Sequence, residues 1–195
     1  CWINYLALPI VNQNTMLKPK SSQVWIENGY TLFAQDGLDG IQVERLAKFV
    51  NLNKSGFYHY FGDRESFLEE LMKHHMQIAR ALAVDFRKME QIDPDFFHLL
   101  LKYATPTMAN MQLVRYRQHP LLNKSFAQVN DLIETALAPK WAEFIGMPDN
   151  PELARKYFEQ ARDMFYSRIT PDKMNMEFLK SLVYEVRTLA QQLIG

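Results

Sequence analysis

"VERLAKFVNLNKSGFYHYFGDRE", Val43 to Glu65, joins two short apolar patterns across a polar break. The first pattern is Val43, Leu46, Ala47 and Val50, with steps of three and four. That period predicts a short helix over about 42–50. Asn51 follows, and Asn tolerates a left-handed backbone better than most residues. Asn53 can cap a second short helix over 54–61. Two helices joined by so short a turn cross steeply, and the second can lie in a DNA major groove. Its residues sort by side. Phe57, Tyr60 and Phe61 are expected to pack on neighbouring helices, while Lys54, Ser55, Tyr58 and His59 face outward. Lys54 suits a phosphate or the acceptors of guanine, Ser55 and His59 suit base edges, and the Tyr58 hydroxyl suits a phosphate. Gly56 costs the helix roughly 1 kcal/mol against Ala. It lets backbone approach a partner closely. The first turns of both helices also point N–H groups outward, which suits phosphate oxygens.

Outward from this stretch the period stays helical. A first helix is expected from Ser21 or Ser22 to Asp36, stopped by Gly37. Asp63 can cap a long fourth helix with the stripe Phe67, Leu68, Leu71, His75, Ile78, Leu82, Phe86 and Met89. Asp93-Pro94, Asn150-Pro151 and, more weakly, Thr170-Pro171 read as cap-then-first-turn signals. They predict helices over about 94–110, 151–169 and 172–194. A helix over 124–145 is expected to break or bend near Pro139, and a short one is open near 111–117. The class is all-α with about nine helices.

The bulk numbers bound the function. The chain has 195 residues, 22 Lys and Arg against 22 Asp and Glu, and a pI near 7.1. It does not coat nucleic acid by bulk charge, yet a local basic face is open to it. From Arg45 to Arg64 the charged residues are Arg45, Lys48, Lys54 and Arg64 against Asp63 alone, a surplus of +3. The single cysteine, Cys1, fits a reducing, cytoplasmic setting. Residues 1–20 are expected to form an N-terminal extension. Its apolar start, Cys1–Val11, is too short to span a membrane. Met16 and the polar run after it fit a natural start, and the other reading is an extension packed on the body. No metal site, phosphate loop, nucleophile elbow or paired-carboxylate pattern is present. His74 and His75 are adjacent and cannot chelate one ion as i, i+4 histidines do. No enzyme, cofactor or metal is expected.

Residues from about Ser22 to Leu71, through the stretch "LFAQDGLDGIQVERLAKFVNLNKSGFYHYFGDRESFLEEL", Leu32–Leu71, resemble the DNA-binding domain of the TetR family of bacterial transcriptional regulators. The likeness lies in Phe33-Ala34 and Gly37 before the two short helices, in Gly56, Tyr58 and Phe61, and in the Arg64-Glu65-Ser66-Phe67 start of the fourth helix. There are departures. Gln42 stands where the family usually has Thr or Ser, and Gln is a poor cap. Val50-Asn51 replaces Ala-Gly, Asn53 replaces Ser, and Arg64 replaces Lys. The resemblance implies DNA contacts at Gln42, Val43, Asn53, Lys54, Ser55, Gly56, Tyr58, His59 and Arg64. It implies a DNA-binding domain over 21–67 and a helical ligand-binding and dimerisation domain over 68–195. The implied function is a homodimeric repressor on a palindromic double-stranded operator, released by a small apolar or aromatic effector.

For the second domain the stripes supply candidates. Leu153, Tyr157, Ala161 and Met164 on one helix and Leu179, Leu182, Val186, Leu189 and Leu193 on the last are the expected dimer interface. Phe97, Leu101, Met108, Met111, Phe126, Trp141 and Phe165 are candidate pocket walls, with His98, Tyr103, Tyr116 or Asn130 as polar contacts. An alternative is a helical interaction protein that sits on DNA without small-molecule control.

Overall fold

A computed structural model describes residues 22–192. The expected extension 1–20, with Cys1, and also Leu193 lie outside them. Among the described residues there are nine α-helices and no strand. The chain forms two compact units, one ending at Leu71 and the other beginning at Met72.

The N-terminal unit holds α1 (Ser22–Asp36), a 3₁₀ turn (Gly37–Asp39), α2 (Val43–Val50), α3 (Lys54–Phe61) and the first residues of α4 (Arg64–Lys88). Its core is largely aromatic. Phe57 lies with its ring centroid 5.6 Å from Trp25, 5.1 Å from Phe61 and 5.0 Å from Phe67. Rings at such spacing and tilt contribute beyond their buried area. Two glycines permit this packing. A Cβ at Gly29 would meet the Phe67 ring at 2.5 Å, and one at Gly40 would meet the Leu32 carbonyl oxygen at 2.3 Å.

The turn between α2 and α3 has a physical cause. Asn51 takes the left-handed conformation, φ 55°, as expected. Its N–H donates to Lys48 O, and the Leu52 N–H reaches back to Ala47 O at 3.0 Å. This is a Schellman closure, which satisfies the last carbonyls of α2 and turns the chain sharply. Asp63 caps α4, its Oδ1 accepting from Ser66 N at 2.8 Å. That hydrogen bond holds the Asp63 carboxyl below the usual carboxylate range.

The C-terminal unit holds the rest of α4, a wide turn (Ile92–Phe96), α5 (Phe97–Lys102), α6 (Ala104–Arg115), α7 (Pro120–Ile145), α8 (Pro151–Arg168), a 3₁₀ turn (Pro171–Lys173) and α9 (Met176–Gln192). Leu82, Phe86, Leu137, Trp141, Leu182 and Val186 are among its buried core residues. Trp141 pins α7 to α8, donating Nε1–H to Ala154 O at 3.0 Å.

Several expected boundaries are corrected. The single helix expected over 94–110 is broken into the wide turn, α5 and α6. Asp93 has a non-helical backbone and caps nothing. Its carboxylate instead takes the Lys180 ammonium at 2.8 Å and the Tyr184 hydroxyl at 2.9 Å. Asp95 collects the loose N–H groups of Glu90 and Gln91. The last helix starts at Met176, because the cap is Asn175, accepting from Phe178 N at 3.0 Å, and not Thr170. α7 begins at Pro120 and runs unbroken through Pro139. Pro139 leaves the Thr135 carbonyl without its helical N–H. Both residues are exposed, so water can serve that oxygen. Asn150 caps α8 as expected.

Candidate nucleic-acid interface

α3 buries one side and shows the other. Phe57 and Phe61 are buried, while Lys54, Ser55, Tyr58 and His59 are exposed. Tyr60 corrects the expected sorting. It sits one residue short of Phe61 on the helix flank and is 48% exposed, beside Tyr58 at 50%. The outward row therefore carries two phenols, an imidazole, a hydroxyl and an ammonium within seven residues.

Gly56 lies in this row, half-buried. A Cβ built there would meet only the Trp25 ring edge, at 3.8 Å. That is ordinary contact, so the unit's own packing does not require glycine at this position.

The caps of α2 and α3 are open. Gln42 and Asn53 occupy the N-cap positions with extended backbone, and neither side chain bonds its helix. The expected Asn53 side-chain cap is therefore absent. Both residues are exposed, and the first-turn N–H groups take no acceptor from the cap side chain. Val43 is a second correction. It is 7% exposed and belongs to the core, so no side-chain contact with DNA is available to it.

The cationic surplus does not survive folding. Lys54 Nζ lies 2.9 Å from Glu44 Oε1, Arg45 pairs with Asp36, and Arg64 donates to Leu38 O at 2.6 Å. Glu44 and Asp36 stand just outside the stretch that counted to +3. Counted from Asp36 to Arg64, four basic residues meet four acidic ones. The Glu44 partner holds the Lys54 ammonium above its usual pKa, and Lys54 holds the Glu44 carboxyl below the carboxylate range. What this face offers outward is therefore donors and rings, with its charges largely paired.

In the C-terminal unit a cavity of about 110 Å³ lies among α4, the wide turn, α5, α6, α7, α8 and α9. Of the expected walls, Trp141 and Phe165 line it, and so does Asn130. Phe97, Leu101, Met108, Met111 and Phe126 do not. Phe97, Met108 and Met111 are buried elsewhere in the unit, Leu101 packs against its core, and Phe126 stacks edge-on to Tyr166. His98 is exposed, Tyr116 is half-buried away from the lining, and the Tyr103 hydroxyl donates to Asp85 at 2.9 Å. The lining residues that sequence reasoning missed include His75, Asn110, Phe158 and Tyr166. Asn110 and Tyr166 are 56 positions apart and meet only through the fold.

The expected dimer stripe also needs correction. Leu179, Leu182 and Val186 are 1–3% exposed, and Ala161 is 6% exposed. They fill their own unit's core, and a partner helix cannot reach them. Leu153 and Leu189 are exposed, while Tyr157 and Met164 are half-buried. Among the described residues no group of His, Cys, Asp and Glu could hold a metal ion, and no helix is long and apolar enough to cross a membrane.

Residues 26–71 match the family described as bacterial regulatory proteins, tetR family. Over 48 residues the chain is 38% identical to the biofilm operon icaADBC HTH-type negative transcriptional regulator IcaR of Staphylococcus aureus strains Newman, COL and MSSA476. The match covers 25% of this chain and 26% of each relative, so it spans about a quarter of the length of these curated relatives. The segment that holds the α2–turn–α3 geometry is thus a helix–turn–helix domain of the tetR family of bacterial regulatory proteins.

Proposed function

We propose that the chain is a DNA-binding transcriptional regulator, acting as a repressor. Two copies in a homodimer present α3 to successive major grooves of a palindromic operator. A small apolar or aromatic ligand in the C-terminal unit releases them. The observation that carries the reading is the outward row of α3: Lys54, Ser55, Tyr58, His59 and Tyr60 around a glycine that the unit's own packing does not need. The N-caps of α2 and α3 support it, since neither Gln42 nor Asn53 bonds its helix and first-turn N–H groups suit phosphate oxygens. The negative transcriptional regulators that share this segment favour repression.

On DNA, Lys54 exchanges Glu44 for a phosphate or a guanine edge. Gln42, Asn53 and Arg64 serve phosphates, while Ser55 and His59 reach bases. The half-sites lie one helical turn apart, ~34–36 Å. For the dimer, exposed Leu153 and Leu189 with half-buried Tyr157 and Met164 replace the buried members of the stripe. Ligand control draws support from α4, which carries Phe67 in the N-terminal unit and His75, Ala79, Leu82 and Phe86 at the cavity. A differential affinity equivalent to ~1–3 kcal/mol suffices to couple ligand and operator.

The test is selection of bound genomic fragments, then footprinting with the native chain and with Lys54→Ala. The expected result is a two-fold symmetric footprint, which Lys54→Ala weakens by roughly 5- to 150-fold with a shallower salt dependence and an unchanged melting temperature. Equal affinity of the two proteins at two salt concentrations would remove α3 as the reading helix.

A further inference from the structure

The cavity of the C-terminal unit carries a chemistry narrower than its apolar walls suggest. Phe86, Trp141, Phe158 and Phe165 supply flat apolar surface. Trp141 offers a ligand no donor, because its N–H is held by Ala154 O. One pole of the cavity is polar. There Asn110 Nδ2 donates to Asn130 Oδ1 at 3.3 Å and to the Tyr166 hydroxyl oxygen. Asn130 is 8% exposed, and its Nδ2 donates to no protein atom among the described residues. A buried amide donor is costly to leave without an acceptor, so a ligand oxygen seated against it binds with that penalty removed.

The pole does not favour an anion. Its one lining cation, Arg162, has Nη1 3.6 Å from Glu134 Oε2 and Nε 3.2 Å from Asp163 Oδ1. Glu134 is itself 6% exposed and also holds Arg155. His75 is buried, and burial pushes its imidazole down to about 4, so it is neutral at neutral pH. Size sets the remaining limit. The volume of about 110 Å³ is below the ~150 Å³ of an apolar protein cavity that accepts benzene. That is the scale of one ring with a small substituent, given a modest adjustment of the walls.

We infer that the C-terminal unit binds a neutral single-ring aromatic compound whose carbonyl or ether oxygen accepts a hydrogen bond from Asn130 Nδ2. Only the regulatory meaning of this binding rests on the proposed ligand control.

The experiment uses the full chain without DNA and three probes of similar shape. Acetophenone carries the acceptor, α-methylstyrene replaces C=O by C=CH2, and benzoate adds a charge. Affinities are measured by calorimetry for the native chain and for Asn130→Leu. The preference for acetophenone over α-methylstyrene is expected to fall about tenfold in the variant, the net contribution of one buried hydrogen bond. Benzoate is expected to bind the native chain at least ~10-fold more weakly than acetophenone. In the native chain the Asn130 side-chain amide signals should move with acetophenone and stay with α-methylstyrene, a readout that needs no folded variant. An unchanged preference, benzoate binding as tight as acetophenone, or an amide indifferent to the ketone would each overturn the inference. Operator release is measured separately. Acetophenone binding without release leaves this site standing and removes ligand control, whereas failure of every ring to bind removes the site itself.

Discussion

In the N-terminal unit the polar groups suited to a partner stand outside, on one row of an eight-residue helix whose other side is Phe57 and Phe61. In the C-terminal unit they stand inside, where His75, Asn110 and Asn130 are each under 10% exposed amid aromatic walls. The contrast fits the size of the partner proposed for each unit. A duplex is larger than the protein's own elements and must be met on the surface, with backbone close enough to touch. A small molecule is met by enclosure, and enclosure places polar side chains where each must find a partner.

The contrast breaks first if the outward row of α3 owes its position to anything but the rings beneath it. Phe57 is fully buried and sits within 5.6 Å of the centroids of Trp25, Phe61 and Phe67. Phe57→Ala is expected to destabilise the N-terminal unit by about 3–5 kcal/mol and to abolish DNA binding at ordinary temperature. Tyr60→Ala, three residues on and outside, is expected to stay within about 0.5 kcal/mol of the native stability. Urea melts followed by Trp25 fluorescence check both. Equal costs at the two positions would mean that the row is part of the core.

The same contrast decides what could be read in the sequence. The N-terminal unit was legible because its rules are local. Asn51 and Leu52 close α2 through carbonyls three and five residues back, Asp63 caps α4 three residues ahead, and the period of α3 separates Phe57 and Phe61 from Lys54 and Ser55. Tyr60 was missed because it lies at the border between the two sides, where one residue of phase decides. Of the caps expected after α4, Asn150 holds, but Asp93 and Thr170 precede prolines without capping: Asp93 is taken by Lys180 and Tyr184, and Asn175 caps the last helix. The cavity was hardly legible. A stripe says that Leu179 and Leu182 are covered, but not whether a sister helix or the chain's own core covers them. Nothing local joins Asn110 to Tyr166.

A second, smaller effect probes the enclosed side. Burial holds the His75 imidazole at about 4, below its ordinary 6.5, so the folded unit binds fewer protons than the unfolded chain between those values. The stabilisation is complete above pH 6.5 and is lost as pH falls from 6.5 through 4. The full shift corresponds to about 3 kcal/mol. Between pH 6.5 and 5 the lowered carboxyls of Asp63, Asp85 and Asp93 remain ionised when folded, so the early part of the loss is chiefly that of His75. His75→Gln is expected to flatten the stability–pH curve of the C-terminal unit in that window. A curve of equal slope in the variant would place the imidazole in water.

The smallest change sharpens the contrast most, because it moves stability and function in opposite directions. Alanine is a better helix residue than glycine by up to ~1 kcal/mol, less in a first turn such as that of Gly56. A Cβ at Gly56 meets only the Trp25 ring edge at ordinary contact distance. Gly56→Ala is therefore expected to leave the melting temperature unchanged or raise it slightly. If α3 docks against a duplex through this row, the added methyl holds the backbone away and operator affinity falls. A damaged fold cannot explain that combination, and neither can lost charge, because Lys54 and Glu44 keep their pair. Should Gly56→Ala bind the operator as the native chain does, the close approach lies elsewhere on the unit, and the exposed ring of Phe49 on α2 is the next place to look.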